Sequence, residues 1–327
     1  MGCGASAHNT RNVKDSIVIP SEGPAAKNRY LQLQDGHKMP LMGLGTFLSV
    51  DENEVIENVT HAIVEEGYRH IDTAQLYKNE EMVGKALEQC YEQGIKREEL
   101  FITTKIWRTN YKNVRGSFKE SMKKLGLEYL DLLLVHFTLT DVDWETYDIK
   151  GPPMYKVWKE FEKLKDEGLV KSIGISNCTN MMFVDIVAGA KHRPVVNQIE
   201  TNPYFSQQKV IDFQEKFGCK ATAYAPIGNP GFTGSDLLKD EVILDIAKKH
   251  KATAAQIALA WNMQRGVMVI PKTNSKERLK ENFEALDVTL DEKDIEKINQ
   301  LNNNKRMWDP DQWDEPQYGW KNNPVYL

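Results

Sequence analysis

Gly67-Tyr68-Arg69-His70-Ile71-Asp72-Thr73-Ala74-Gln75-Leu76-Tyr77-Lys78-Asn79-Glu80-Glu81 runs from a helix end, through a short strand and a loop, into the next helix. Gly67 closes an apolar-periodic segment that begins at Val55, as a glycine past a helix C-terminus does. Tyr68 to Thr73 is too short for another helix and reads as a buried strand, with Ile71 facing one way and His70 and Asp72 the other. Asp72 stands where the strand runs out, and Tyr77 follows in the loop before a helix starting near Asn79. An acid at a strand's carboxyl end with a phenol just beyond it suits catalysis. It equally suits a salt-bridged aspartate and a surface tyrosine, and this stretch alone does not separate the two.

Outward from it, the same alternation repeats. Strands are expected at Leu41–Thr46, Arg69–Thr73, Leu100–Lys105, Asp131–His136, Ser172–Ile175, Val195–Ile199, Ala221–Ala225 and Val267–Ile270. Helical patterns lie between them at Glu52–Glu66, Asn79–Gln93, Tyr111–Leu125, Pro153–Glu167, Thr179–Ala190, Gln207–Phe217, Thr253–Gln264 and Lys276–Ala285. Most of the strands are continuously apolar, as in a parallel sheet covered on both faces. Eight such units in strict alternation favour an α/β fold closed as a (β/α)8 TIM barrel. Two helices look inserted, Asp236–Lys249 and Asp291–Leu301, and Asp35-Gly36 marks an N-terminal β-hairpin between Tyr30–Leu33 and Lys38–Met39.

At 327 residues the chain has room for one such barrel with extensions. A formal charge of −5 argues against nucleic acid as a main partner. No window is long and apolar enough to span a bilayer. Cys3, Cys90, Cys178 and Cys219 have no paired or metal-ligand spacing, so free thiols in a reducing compartment are expected, with Cys178 exposed to oxidation beside the site. The histidines at 8, 37, 61, 70, 192 and 250 suggest no metal site.

A barrel builds its active site at the carboxyl ends of its strands. The second end delivers Asp72 and Tyr77, the third Lys105, the fourth His136. Lys105 alone reads as a snorkelling lysine and His136 alone as a core histidine; together the four ask for a chemical explanation. A lysine ammonium about 4 Å from a phenol, at an effective dielectric of ~20, favours the phenolate by about 4 kcal/mol before desolvation is counted. Asp72 would keep Lys105 charged and aimed, and His136 would orient a substrate oxygen. Tyr77 would then protonate that oxygen, a step worth about 10²–10⁴ in rate. A carbonyl being reduced takes a proton in this way, and the hydride must come from a nicotinamide cofactor.

Gly43-Leu44-Gly45 lacks the third glycine of a Rossmann fingerprint. Instead Ile270-Pro271-Lys272-Thr273-Asn274-Ser275 leads into a helix and, with Arg278, makes an anion site of the kind barrels place after their last strands. Two cations beside hydroxyls suit the 2′-phosphate of NADP over NAD.

From Tyr30 to Asn304 the chain resembles the aldo-keto reductases, the aldose and aldehyde reductases among them. Three motifs carry the likeness: the Gly67–Glu80 stretch, the Leu134-Val135-His136 strand end, and Ile270-Pro271-Lys272-Thr273 with Arg278, Glu281 and Asn282. The resemblance implies a tetrad of Asp72, Tyr77, Lys105 and His136. It also implies Ser176, Asn177 and Gln198 on a nicotinamide carboxamide, Tyr224 stacked on the ring, and Gly45 and Thr46 near the ribose. Glu281 and Asn282 would hold the adenine, while Lys272, Thr273 and Arg278 would grip the 2′-phosphate, so NADPH is the implied donor. Thr138 stands where the family usually has proline, the loop from Leu139 to Pro153 with Asp141, Asp143, Trp144 and Asp148 is short, and Gly228–Gly234 is compact. These departures bear on substrate choice and on how tightly the cofactor is covered.

The division expected is a flexible segment over 1–28, a barrel over 29–304 and a tail over 305–327. Trp308 to Trp313 of the tail is expected as a lid, shaping an apolar substrate pocket with Phe47, Trp107 and Phe137. Met1-Gly2-Cys3-Gly4-Ala5-Ser6 fits N-myristoylation at Gly2, with Cys3 as a second acyl site. One such chain binds membranes only marginally, with a constant on the order of 10⁴ M⁻¹. The expectation is a cytoplasmic monomer, tethered to a membrane surface if acylated, that reduces aldehydes or ketones to alcohols. The rival is an NADPH-sensing regulatory subunit with little turnover.

Overall fold

Helix α1 (Glu52–Val64) starts where the Asp51 side chain accepts the Glu54 N–H, and Gly67, at φ 86°, turns the chain toward the strand that carries Asp72. Only glycine reaches that backbone angle without steric strain. The computed structural model describes residues 17–18, 28–143, 146 and 148–308; Gly2, Cys3, Trp144 and Trp313 lie outside the described residues.

Eight parallel strands make the sheet: β4 (Leu44–Gly45), β5 (His70–Asp72), β6 (Phe101–Ile106), β7 (Leu130–Val135), β8 (Val170–Ser176), β9 (Val196–Glu200), β10 (Lys220–Tyr224) and β11 (Met268–Val269). They lie side by side in chain order, and the sheet closes on itself. Met42 pairs with Val269, the Gly43 N–H donates to the Val269 carbonyl at 2.8 Å, and the Val269 N–H donates to the Leu41 carbonyl at 2.8 Å. The fold is therefore the (β/α)8 barrel expected. Every residue of β6 and β7 is buried, and each fully buried leucine of Leu132-Leu133-Leu134 stabilises the barrel by about 1.5–3 kcal/mol.

The hairpin strands β2 (Tyr30–Gln32) and β3 (Lys38–Pro40) meet around Gly36, at φ 92°. Within the stretch read as a flexible segment, β1 (Ile17–Val18) pairs antiparallel with β2, Ile17 opposite Leu31. The sequence reading missed this pairing because two residues carry no period.

The barrel helices are α1, α2 (Glu80–Glu92), α3 (Val114–Leu125), α4 (Met154–Asp166), α5 (Asn180–Ala188), α6 (Gln208–Glu215), α9 (Ala254–Gln264) and α10 (Lys276–Glu284). A short α7 (Pro230–Thr233) sits in the Gly228–Gly234 segment. The inserted helices α8 (Glu241–His250) and α11 (Glu292–Asn299) pack their own core, with Leu237, Ile243 and Ile246 against Trp261 and Ile298. Two expected spans split. Tyr111–Leu125 opens as a 3-10 stretch, Arg108–Asn113, because the Asn113 side chain caps α3 by accepting the Gly116 N–H. Asp236–Lys249 breaks at Asp240, whose carboxylate caps α8. Among the described residues no helix is long and apolar enough to cross a membrane.

Candidate active site

The register of the sheet sets the site. Asp72 lies opposite Gly45 on one side and Thr103 on the other, while Lys105 is opposite Leu134. The three neighbouring strand ends therefore deliver Asp72, Lys105 and His136 to one rim. Tyr77 arrives on a 3-10 turn, Gln75–Tyr77, closed by Lys78 in the left-handed region at φ 56°.

Lys105 is fully buried, so the snorkelling alternative falls. Its Nζ donates to Asp72 Oδ1 at 2.6 Å, to the Thr73 carbonyl at 2.9 Å and to the Tyr77 hydroxyl at 3.1 Å. Gln198 Nε2 donates to the other Asp72 oxygen at 2.7 Å. Burial pushes the Asp72 carboxyl up and the Lys105 amine down, each opposed by the charge of the other.

The expected acidification of the phenol is not what the site does. Burial first, and then the negative charge of Asp72, push Tyr77 well above its ordinary value. The Lys105 cation sits closer to Asp72 than to the phenol, so the carboxylate offsets much of the ammonium's pull on Tyr77. His136 moves the opposite way: burial and the Lys105 charge hold its imidazole well below its ordinary value, hence neutral at physiological pH. Its buried Nδ1 has no hydrogen-bond partner among the described residues. The His136 ring itself lines the cavity, 5.7 Å from the Tyr77 ring.

A cavity of about 550 Å³ opens over these groups. Asp72, Tyr77 and His136 line one part of it, together with Phe47, Trp107, Phe137 and Trp308. The rings form a connected wall: Trp107 meets His136 at 4.9 Å, Phe47 meets Tyr77 at 4.9 Å, and Trp308 meets Phe47 edge-on at 5.2 Å. Trp308, the last described residue of the tail, thus stands over the rim.

The cavity continues past Gly45, Ser176, Asn177, Gln198 and Tyr224 to Lys272, Thr273, Arg278, Glu281 and Asn282. The Ser176 hydroxyl donates to the Gln198 carbonyl at 2.8 Å, and Asn177, held at φ 54°, accepts from the Tyr224 hydroxyl at 2.8 Å. A Cβ on Gly45 would come within 2.7 Å of the Ile270 carbonyl, so only glycine lets the chain pack this closely against the end of the last strand. Thr46 sits behind that wall and outside the lining, its hydroxyl donating to the Asp72 carbonyl at 3.0 Å. Ser275 caps α10 by accepting the Arg278 N–H at 3.3 Å. Half-buried Lys272 is pushed down by burial and by Arg278, against the pull of Glu54.

Other expectations change. Cys178 is buried, not exposed to oxidation, and burial pushes its thiol up to about 12. The short loop after His136 is tied down by Arg108, which donates to Asp141 at 2.8 Å, and by Thr138, whose hydroxyl approaches Met182 Sδ at 3.2 Å. The sequence reading missed Leu48, Ala225, Pro226, Ile227 and Arg306 in the lining, while Asn229, Pro230 and Gly231 belong to the compact segment it singled out. Compact glycine and proline at 228–231 hinted at that segment; nothing in the sequence singled out Leu48 or Arg306.

Residues 41–303 match the model of the Aldo/keto reductase family. Dihydrodiol dehydrogenase 3 of Bos taurus is 39% identical over 304 residues, covering 86% of this chain and 93% of its own. Aldose reductase B of Dictyostelium discoideum is 38% identical, covering 87% and 96%. An aldo-keto reductase of Bombyx mori, solved in complex with NADP, superposes with a TM-score of 0.81 at 35% identity, covering 89% of this chain and 98% of its own.

Proposed function

The chain belongs to the aldo/keto reductase family, and from that premise we propose that it reduces aldehydes or ketones to alcohols with NADPH. The observation that carries the reading is the Lys105 ammonium bridging Asp72 and the Tyr77 hydroxyl beneath an aromatic-walled cavity. The residues present fit a phosphorylated dinucleotide. The cavity runs from the catalytic rim past Gly45 and Tyr224, and Lys272 and Arg278 offer cations at the far end beside the hydroxyl of Thr273. Thr273, Lys272 and Arg278 would hold the 2′-phosphate, Glu281 and Asn282 the adenine, Ser176, Asn177 and Gln198 the carboxamide, and the Tyr224 ring the nicotinamide face. When bound, the cofactor supplies the hydride that goes to the carbonyl carbon.

The protein's own part is the proton. Tyr77, kept as a phenol, gives its hydroxyl proton to the carbonyl oxygen as that oxygen gains negative charge. An alkoxide is about as basic as hydroxide, the conjugate base of water with pKa about 15.7, so the developing oxyanion is a strong base facing the Tyr77 hydroxyl. Lys105 stabilises the phenolate left behind, and Asp72 holds Lys105 in place. Neutral His136 donates a hydrogen bond to the substrate oxygen and fixes its direction. The apolar walls from Phe47, Trp107, Phe137 and Trp308 suit aromatic and apolar carbonyls.

The test is NADPH oxidation with aromatic aldehydes by the wild-type chain and by Tyr77→Phe. Turnover that falls about 10²–10⁴-fold in the variant, with NADPH binding retained, supports the reading. Binding without turnover across a broad carbonyl panel favours the regulatory reading instead. Gly2 and Cys3 stand as proposed acyl acceptors holding a cytoplasmic enzyme at a membrane surface. Metabolic labelling with an alkynyl myristate, lost in Gly2→Ala, tests that.

A further inference from the structure

Glu200 ends β9, opposite Tyr224 in the sheet, and is fully buried. It does not line the cavity. Its carboxylate reaches the strap that leaves the barrel for the tail. One oxygen accepts the Met307 N–H at 2.7 Å and the other accepts the Trp308 N–H at 3.0 Å. The Arg306 guanidinium, stacked on the Phe205 ring at 4.7 Å, opposes the carboxylate's charge. Earlier in the strap, the Asn303 N–H donates to the Tyr204 carbonyl at 3.2 Å, and Asn302 Oδ1 accepts the Ser206 N–H at 2.9 Å.

These contacts form one mechanical path. Over its described residues, 302–308, the strap has no helix or strand of its own, and its buried N–H groups must find acceptors. Two successive N–H groups on the two oxygens of one buried carboxylate fix both the position and the direction of the backbone at Trp308. The Trp308 ring then meets Phe47 edge-on at 5.2 Å, and Phe47 meets Tyr77 at 4.9 Å. A side chain outside the cavity is thereby linked, through the strap, to the cavity's wall.

We propose that Glu200 is a positioning residue that latches the strap, holds Trp308 over the rim, and so sets the preference for bulky aromatic carbonyls over small ones. The selectivity half rests on the carbonyl-reduction reading above; the latch itself does not.

Two measurements keep them apart. Hydrogen exchange of the full-length protein reads the latch: in Glu200→Gln the side-chain NH2 faces one of the two N–H groups, and amides 307 and 308 should exchange about tenfold faster or more, the weight of a hydrogen bond to a charged group. Unchanged exchange there overturns the latch whether or not the protein turns over. Kinetics read selectivity: Glu200→Gln should raise KM for naphthaldehyde about tenfold while KM and kcat for propanal and the Kd for NADPH stay put. Added to Trp308→Ala, Glu200→Gln should change nothing further. Equal losses for the two aldehydes, or losses that add in the double variant, overturn the selectivity role. Should Glu200→Gln fail to fold, Glu200→Asp, too short to span both N–H groups, is read in the same two ways.

Discussion

The Lys105 ammonium touches the Tyr77 hydroxyl at 3.1 Å while holding Asp72 at 2.6 Å. One buried cation therefore has two jobs, neutralising a carboxylate in the barrel core and standing ready for a phenolate. Lys105→Met should lose both. Leaving Asp72 without its cation costs about 3 kcal/mol or more, read by urea unfolding at pH 7. Turnover should fall by about 10²-fold or more. Full stability with lost turnover would mean that the pair matters only to the chemistry.

Because Tyr77 is pushed well above its ordinary value and His136 well below its own, neither changes protonation near neutrality. The rate of carbonyl reduction should be flat from about pH 6 to about pH 9. A kcat profile that falls with unit slope between those limits would restore the acidified phenol expected from the sequence.

Arg278 is exposed at the first turn of α10, and Lys272 is half-buried beside it. Arg278→Ala should weaken NADPH binding about 10–100-fold, the value of a charge-assisted bond, and leave NADH binding nearly unchanged. Tryptophan fluorescence titration with each cofactor separates the two. Equal loss for both would move the 2′-phosphate away from this helix.

His70 is a second buried histidine. Nε2 pairs with the Thr103 hydroxyl at 3.0 Å, Nδ1 lacks a partner among the described residues, and burial followed by the Lys105 charge brings its pKa to about 3. That lies below the ordinary 6.5, so between the two values the unfolded chain binds the extra proton and stability falls as pH falls. His70 should remove about 1.6 kcal/mol between pH 6.5 and pH 5. Chemical denaturation at both pH values should show at least that loss in the wild-type chain, since His136 adds its own share, and a fall smaller by that amount in His70→Gln.

The order of strands and helices, the closed barrel and the gathering of Asp72, Lys105 and His136 were all legible in the chain. Each depends on period and on which residue ends an apolar run, and burial on both faces of a parallel strand writes that information locally. Gly67, Asp51 and Ser275 mark helix ends by backbone angle or side-chain capping, which are local as well. What only the tertiary structure decided depends on distance and solvent. The phenol's affinity for its proton follows from the desolvation of its site and from Asp72 lying nearer to Lys105 than the phenol does. The inert Cys178 thiol follows from burial, and the Trp308 wall follows from a carboxylate 108 residues earlier in the chain. No local pattern encodes these, because each is a balance between a charge and the water that folding removes from around it.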